Sequence, residues 1–148
     1  STTGSTSCDT CAPGSHTTGG TPTTRQGCVK CDAGMTCNGN GDPVACPAGS
    51  FSAAGSATCT KCGADKKFSA SGATACSDCA AGSMTSGGSL DGFTRTTCVA
   101  CPAGLACDGS SKSATCTPGK YSPGGSPSCL NCGVDNRFSG NVLKQDVA

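Results

Sequence analysis

Sixteen of the 148 residues are cysteine, and twelve of them form six C-x-x-C pairs: 8/11, 28/31, 59/62, 76/79, 98/101 and 129/132. At about 11% of the chain they exceed the roughly 8–10% that marks a disulfide scaffold. The large apolar residues are correspondingly scarce: four Leu, six Val, four Phe, two Met and no Ile. A chain with so few cannot bury enough apolar surface for an ordinary core, so covalent cross-links must offset the conformational entropy. A disulfide closing a loop of about 15 residues contributes about 3 kcal/mol, and eight together contribute on the order of 20 kcal/mol. The remaining cysteines, 37, 46, 107 and 116, fall between the pairs.

The chain repeats itself. At an offset of 70, residues 28–68 align with 98–138, with every cysteine matched and 17 of 41 positions identical. At an offset of 68 the opening STTGSTSCDTCAPGS lies over SASGATACSDCAAGS at 69–83. Two eight-cysteine units follow, residues 1–75 and 76–138, with a C-terminal tail at 139–148. Within each unit a smaller cassette recurs: C-x-x-G, a Ser/Gly-rich run, then C-x-x-C, as in CPAGSFSAAGSATCTKC at 46–62. Segments so short and so punctuated by Gly and Pro predict hairpins and turns with little helix. The expected fold is therefore small and disulfide-rich: two tandem units of short β-hairpins in an extended ladder with minimal hydrophobic core.

The stretches CPAGLACDGSSKSATCTPGKYSPGGSPSCLNC at 101–132 and CPAGSFSAAGSATCTKC resemble the ephrin-receptor-like cysteine-rich repeats of large extracellular proteins of protists and animals. The C-x-x-C rhythm in Ser/Thr/Gly-rich sequence is similar also to the surface immobilisation antigens of ciliates. The resemblance runs from Cys8 to Cys132 and implies an extended, disulfide-laddered extracellular module without catalytic residues.

Closing each C-x-x-G cysteine on the next cysteine gives Cys11–Cys28, Cys31–Cys37, Cys46–Cys59, Cys62–Cys76, Cys79–Cys98, Cys101–Cys107 and Cys116–Cys129. Cys8 and Cys132 are left over. Because Cys62 bonds forward to the first cysteine of the next unit, the same rule sends Cys132 forward to Cys8 of another copy. Spacing also permits Cys8–Cys62 with Cys76–Cys132 if each unit folds back on itself. A rival chemistry for the same sulfurs is zinc, since Cys8/Cys11 with Cys28/Cys31 and Cys76/Cys79 with Cys98/Cys101 have four-cysteine spacing. Zinc would leave 37, 46, 107 and 116 as free thiols, which favours disulfides. A redox C-x-x-C lacks its supporting βαβ pattern.

Little else carries chemistry. His16 is the sole histidine and has no partner motif, so a loop position is expected rather than a base or ligand. No Ser-His-Asp or Cys-His arrangement repeats, so no enzyme, catalytic residue or cofactor is expected. NGNGD at 38–42 is oxygen-rich but lacks the EF-hand spacing and reads as a turn. Lys66 and Lys67 read as a solvated face. The net charge is +1 with scattered charges, so neither nucleic acid nor a polybasic membrane patch is expected, and no apolar run could span a bilayer. All nine acidic residues are Asp, which suits turns. The chain opens on Ser without a signal-peptide pattern, which suggests a processed form.

Twenty Ser and nineteen Thr make up a quarter of the chain, and no N-x-Ser/Thr sequon occurs. Dense hydroxyls beside Gly and Pro suit O-glycosylation, with Thr17, Thr18, Thr21, Thr23 and Thr24 as candidates, or serve simply as polar turn residues. Val142, Leu143 and Val147 concentrate aliphatic side chains in the tail, a docking element for a neighbouring copy. The expected function is a structural, extracellular building block of a surface fibre assembled head to tail, carrying glycans. The alternatives are a ligand-binding or antigenic cell-surface module within a longer repeat array, and a zinc-binding protein.

Overall fold

The computed structural model describes residues 10–19, 27–89 and 94–133. Among these residues fourteen short strands pair in chain order into seven separate antiparallel hairpins. Calling each hairpin a rung, rung 1 is β1 (Ser15–Thr18) with β2 (Gly27–Lys30), and rung 2 is β3 (Met35–Thr36) with β4 (Val44–Ala45). Rung 3 is β5 (Ser50–Phe51) with β6 (Thr60–Lys61), and rung 4 is β7 (Lys67–Phe68) with β8 (Ser77–Asp78). Rung 5 is β9 (Ser83–Ser86) with β10 (Thr97–Ala100), and rung 6 is β11 (Leu105–Cys107) with β12 (Ser113–Thr115). Rung 7 is β13 (Lys120–Tyr121) with β14 (Leu130–Asn131). No helix occurs among the described residues.

Each rung begins on a turn that its sequence dictates. In C-x-x-G the residue after Cys accepts a hydrogen bond from the residue after Gly, as in Ser15 N–H to Ala12 O (3.0 Å) and Lys120 N–H to Thr117 O (3.0 Å). The Gly occupies the third turn position with positive φ, +87° at Gly14 and +82° at Gly119, where L-residues are strained. The amide of the second cysteine of the following C-x-x-C pair then bonds back to that Gly carbonyl, as Cys31 does to Gly14 (3.0 Å) and Cys132 to Gly119 (2.9 Å).

Among the described residues seven disulfides staple the rungs: Cys11–Cys28, Cys31–Cys37, Cys46–Cys59, Cys62–Cys76, Cys79–Cys98, Cys101–Cys107 and Cys116–Cys129. These are the pairs that nearest-neighbour closure gives, so the loops follow one another without overlap. The fold-back alternative is excluded, because Cys62 and Cys76 bond to each other. That bond also crosses the boundary that the repeat places after residue 75. Zinc is likewise overturned at these sulfurs: Cys11 is bonded to Cys28 and Cys79 to Cys98, which consumes the thiolates a metal would need.

The interior is sulfur and hydroxyl. The buried apolar residues among those described are all cysteines: 11, 31, 37, 46, 79, 101 and 107. Beside them lie buried Ser50, Ser52, Ser69, Thr85, Ser110, Ser122 and Arg95. Burying hydroxyls is costly unless they are hydrogen-bonded, and among the described residues no buried side-chain polar atom lacks a partner.

Candidate functional site

The recurring chemistry of this chain is the contact between consecutive rungs. Rung 1 meets rung 2 through Gly14 N–H to Cys37 O (2.9 Å) and Gly39 N–H to Ser15 O (3.1 Å). Rung 2 meets rung 3 through Gly34 N–H to Ser52 O (2.9 Å) and Gly55 N–H to Cys31 O (2.8 Å). Rung 3 meets rung 4 through Gly49 N–H to Ser69 O (2.9 Å) and Gly72 N–H to Cys46 O (2.8 Å), and Phe51 bridges Ala73 in parallel. The pattern resumes at rungs 5 and 6 with Gly82 N–H to Cys107 O (2.9 Å), and at rungs 6 and 7 with Gly104 N–H to Ser122 O (2.9 Å). Each bond of this type contributes on the order of 1 kcal/mol net, so several per contact are needed to hold the stack.

Buried hydroxyls reinforce three of these contacts by donating back to the preceding rung. Ser52 Oγ donates to Met35 O (2.8 Å), Ser69 Oγ to Ser50 O (2.9 Å) and Thr85 Oγ1 to Asp65 O (2.6 Å). Composition alone could not separate these hydroxyls from surface ones. Their position on the first strand of a rung, or directly after it, is the signal that would have found them.

The C-x-x-G glycines show how tightly rungs stack. A Cβ on Gly14 would collide with the carbonyl of Gly55, on Gly34 with that of Gly72, on Gly49 with the backbone of Thr94 and on Gly82 with the carbonyl of Gly125. In each case the obstacle belongs to the rung two further along, so these glycines sit under a covering turn. Gly104 and Gly119, in the last two rungs, are exposed, and a Cβ there would meet nothing within 4 Å among the described residues.

Rung 4 departs from the pattern. Its turn reads Cys62-Gly-Ala-Asp-Lys, one residue longer, and the Lys66 carbonyl takes the place of the glycine carbonyl in accepting from Cys79 N–H (2.7 Å). Asp65 instead anchors a polar junction between rungs 4, 5 and 6. Its carboxylate accepts from Arg95 Nε (3.2 Å) and Ser111 Oγ (2.8 Å), and Arg95 Nη1 also donates to Gly87 O (3.2 Å). Burial alone would raise the Asp65 pKa, but the hydrogen bonds from Ser111 and Arg95 outweigh it and hold the carboxyl below its usual range. Arg95 also closes the backbone here, its carbonyl accepting from Ser69 N–H (3.1 Å).

The other candidates are resolved by position. Lys66 pairs with Asp108 (2.9 Å) and Lys67 with Asp78 across rung 4 (2.8 Å), both on the solvated surface. Hydrogen bonds from Ser110 and the Lys66 ammonium hold Asp108 well below the usual carboxylate range. In the 38–42 loop, Asn38 Oδ1 accepts from Asn40 N–H (3.1 Å), which makes it an Asx turn. The second unit repeats that turn with Asp108 accepting from Ser110 N–H (3.0 Å). His16 lies on β1 with its ring against Thr17 O (3.3 Å). Among the described residues, no three His, Cys, Asp or Glu side chains converge to hold a metal.

Thr17 and Thr18 are half-exposed on β1, whereas Thr21, Thr23 and Thr24 lie outside the described residues. Cys8, Val142, Leu143 and Val147 also lie outside them. Cys132, at the end of rung 7, has a free and partly exposed thiol.

No protein-family model matches the chain, and no curated protein is significantly similar to it. What the fold defines is a class: a small, disulfide-stapled stack of β-hairpins of the kind made in oxidising, extracytoplasmic compartments. No helix among the described residues is long and apolar enough to cross a membrane.

Proposed function

We propose that this chain is a non-enzymatic extracellular structural protein, the building block of a disulfide-stapled, O-glycosylated surface fibre whose copies join head to tail. The observation that carries the reading is the free Cys132 at the end of the last described rung. Every other described cysteine is bonded within its rung, and Cys62, the position equivalent to Cys132, bonds forward. A second copy offers the missing sulfur in Cys8. The likeness to ephrin-receptor-like repeats and ciliate surface antigens supports a surface location, and repetition of rungs supplies length without a core. Thr17 and Thr18 have the exposure that glycan attachment needs.

Electron microscopy of the chain oxidised in a glutathione buffer tests the proposal. Long fibres with a regular axial repeat are the expected result. Discrete particles of monomer size would contradict it and favour the alternative, a ligand-binding or antigenic module of a longer array.

A further inference from the structure

We propose that the exposed end of rung 7 is an acceptor site for residues Ser1–Cys8 of a second copy, docked in the register that Ser69–Cys76 adopts on rung 3. This deepens the head-to-tail reading and rests on it. The template is internal to the molecule. On rung 3, Gly49 N–H donates to Ser69 O, Ser69 Oγ to Ser50 O (2.9 Å), and both Ser71 Oγ (3.0 Å) and Gly72 N–H (2.8 Å) to Cys46 O. Ser52 N–H then donates to Ala73 O (3.3 Å), and the segment ends in the Cys76–Cys62 bond.

Seventy residues on, rung 7 has the same groups at Gly119 N–H, Lys120 O, Cys116 O, Ser122 N–H and Cys132 Sγ. Gly104, the counterpart of the Gly34 that the Gly72 carbonyl covers, is exposed, and among the described residues nothing lies where that cover would be. The opening segment STTGSTSC supplies a matching group at every step of SASGATAC: Ser1 for Ser69, Thr3 for Ser71, Gly4 for Gly72 and Cys8 for Cys76. Gly72 is the selective position, because its φ is +71°, which a β-branched residue adopts only under strain.

The chain's own tail is the competing occupant, and its sequence does not fit. SGNVLKQD at 139–146 places Val142 at the Gly72 position and Asp146 at the Cys76 position. It matches the template through Ser139, the position that Ser1 also fills, and fails beyond it, where the opening segment goes on matching. A second copy therefore completes what the tail cannot.

Closure is a disulfide exchange. The Cys8 and Cys132 thiols lose two protons and two electrons to a small-molecule disulfide such as oxidised glutathione, which leaves as two thiols.

The test adds a synthetic peptide of residues 1–8, or its Gly4→Val form, to the full chain assembling in a glutathione buffer. Both peptides keep Cys8, so they differ only in the register-dependent contact. The native peptide is expected to cap the chain at Cys132, by mass spectrometry, and to shorten the polymers. The Gly4→Val peptide should be at least about tenfold less effective, because a β-branched side chain is strained in the left-handed region. Equal capping by both peptides overturns the docking register while leaving the polymer standing. Capping by the native peptide without any polymer in its absence supports the acceptor site and overturns the head-to-tail reading. Neither capping nor polymer overturns both.

Discussion

Removing the Cys46–Cys59 bond by a double substitution to Ala tests whether sulfur replaces the core. The bond closes a loop with a sequence separation of 13, so the chain-entropy model assigns it about 3 kcal/mol. Cys46 is fully buried, and truncating it leaves a small void that adds on the order of 1 kcal/mol. Because the loops do not overlap, the loss should concentrate at rung 3 and the rungs it touches. Amide hydrogen exchange reads this locally at Gly49 and Ser52, whose N–H groups bond across to rung 4. An opening free energy lowered by 3–4 kcal/mol corresponds to exchange faster by at least roughly a hundredfold. The same experiment on Cys31–Cys37, with a separation of 6, should cost closer to 2 kcal/mol. A change below about tenfold at rung 3, or an equal loss at rungs 6 and 7, would refute the picture of serial, locally stapled rungs.

Two further expectations concern the contacts between rungs. Gly34→Ala and Gly104→Ala place a side chain at nearly the same left-handed φ, +84° and +81°, each costing about 1–2 kcal/mol. Gly34→Ala also drives its methyl into the Gly72 carbonyl, so thermal unfolding should show it at least about 2 kcal/mol worse than Gly104→Ala; equal losses would mean that the rungs do not stack as described. Asp65→Asn leaves the buried Arg95 without its counter-charge and should cost about 2–3 kcal/mol at neutral pH, below the usual range for a broken buried pair because the carboxylate is partly exposed. Since the folded pKa of Asp65 is lowered, its contribution is complete above the unfolded value near 3.9 and is lost as pH falls below that value through the lowered one. The difference in protection at Ser69 N–H between the native chain and Asp65→Asn should therefore be constant above about pH 5, and an Asp65→Asn chain that loses as much stability in acid as the native one would contradict the assignment.

The pairing of the disulfides was legible in the sequence because C-x-x-G fixes the turn in six of the seven rungs and nearest-neighbour closure then extends to Cys62–Cys76. The hairpins were legible for the same reason. What escaped was how rungs meet, because those contacts run through main-chain groups such as Gly49 N–H and Ser69 O, which leave no side-chain signature. Only the glycines record them, and Gly34 and Gly104 look alike in sequence although one is covered and the other open. The Asp65–Arg95 junction was hidden differently: thirty residues separate the partners, and one inserted residue in the rung 4 turn does not by itself signal a second kind of joint. Nor could counting Ser and Thr reveal that Ser52, Ser69 and Thr85 stitch one rung to the one before it.

The central claim is that Cys132 of one copy bonds to Cys8 of the next. Its most direct measurement is electrophoresis of the oxidised chain with and without reductant, alongside Cys132→Ser. The native chain should run as a series of multiples of the monomer that collapses to one band on reduction, and Cys132→Ser should run as monomer in both lanes. A native chain that runs as monomer without reductant, or a Cys132→Ser chain that still forms the series, would contradict the claim.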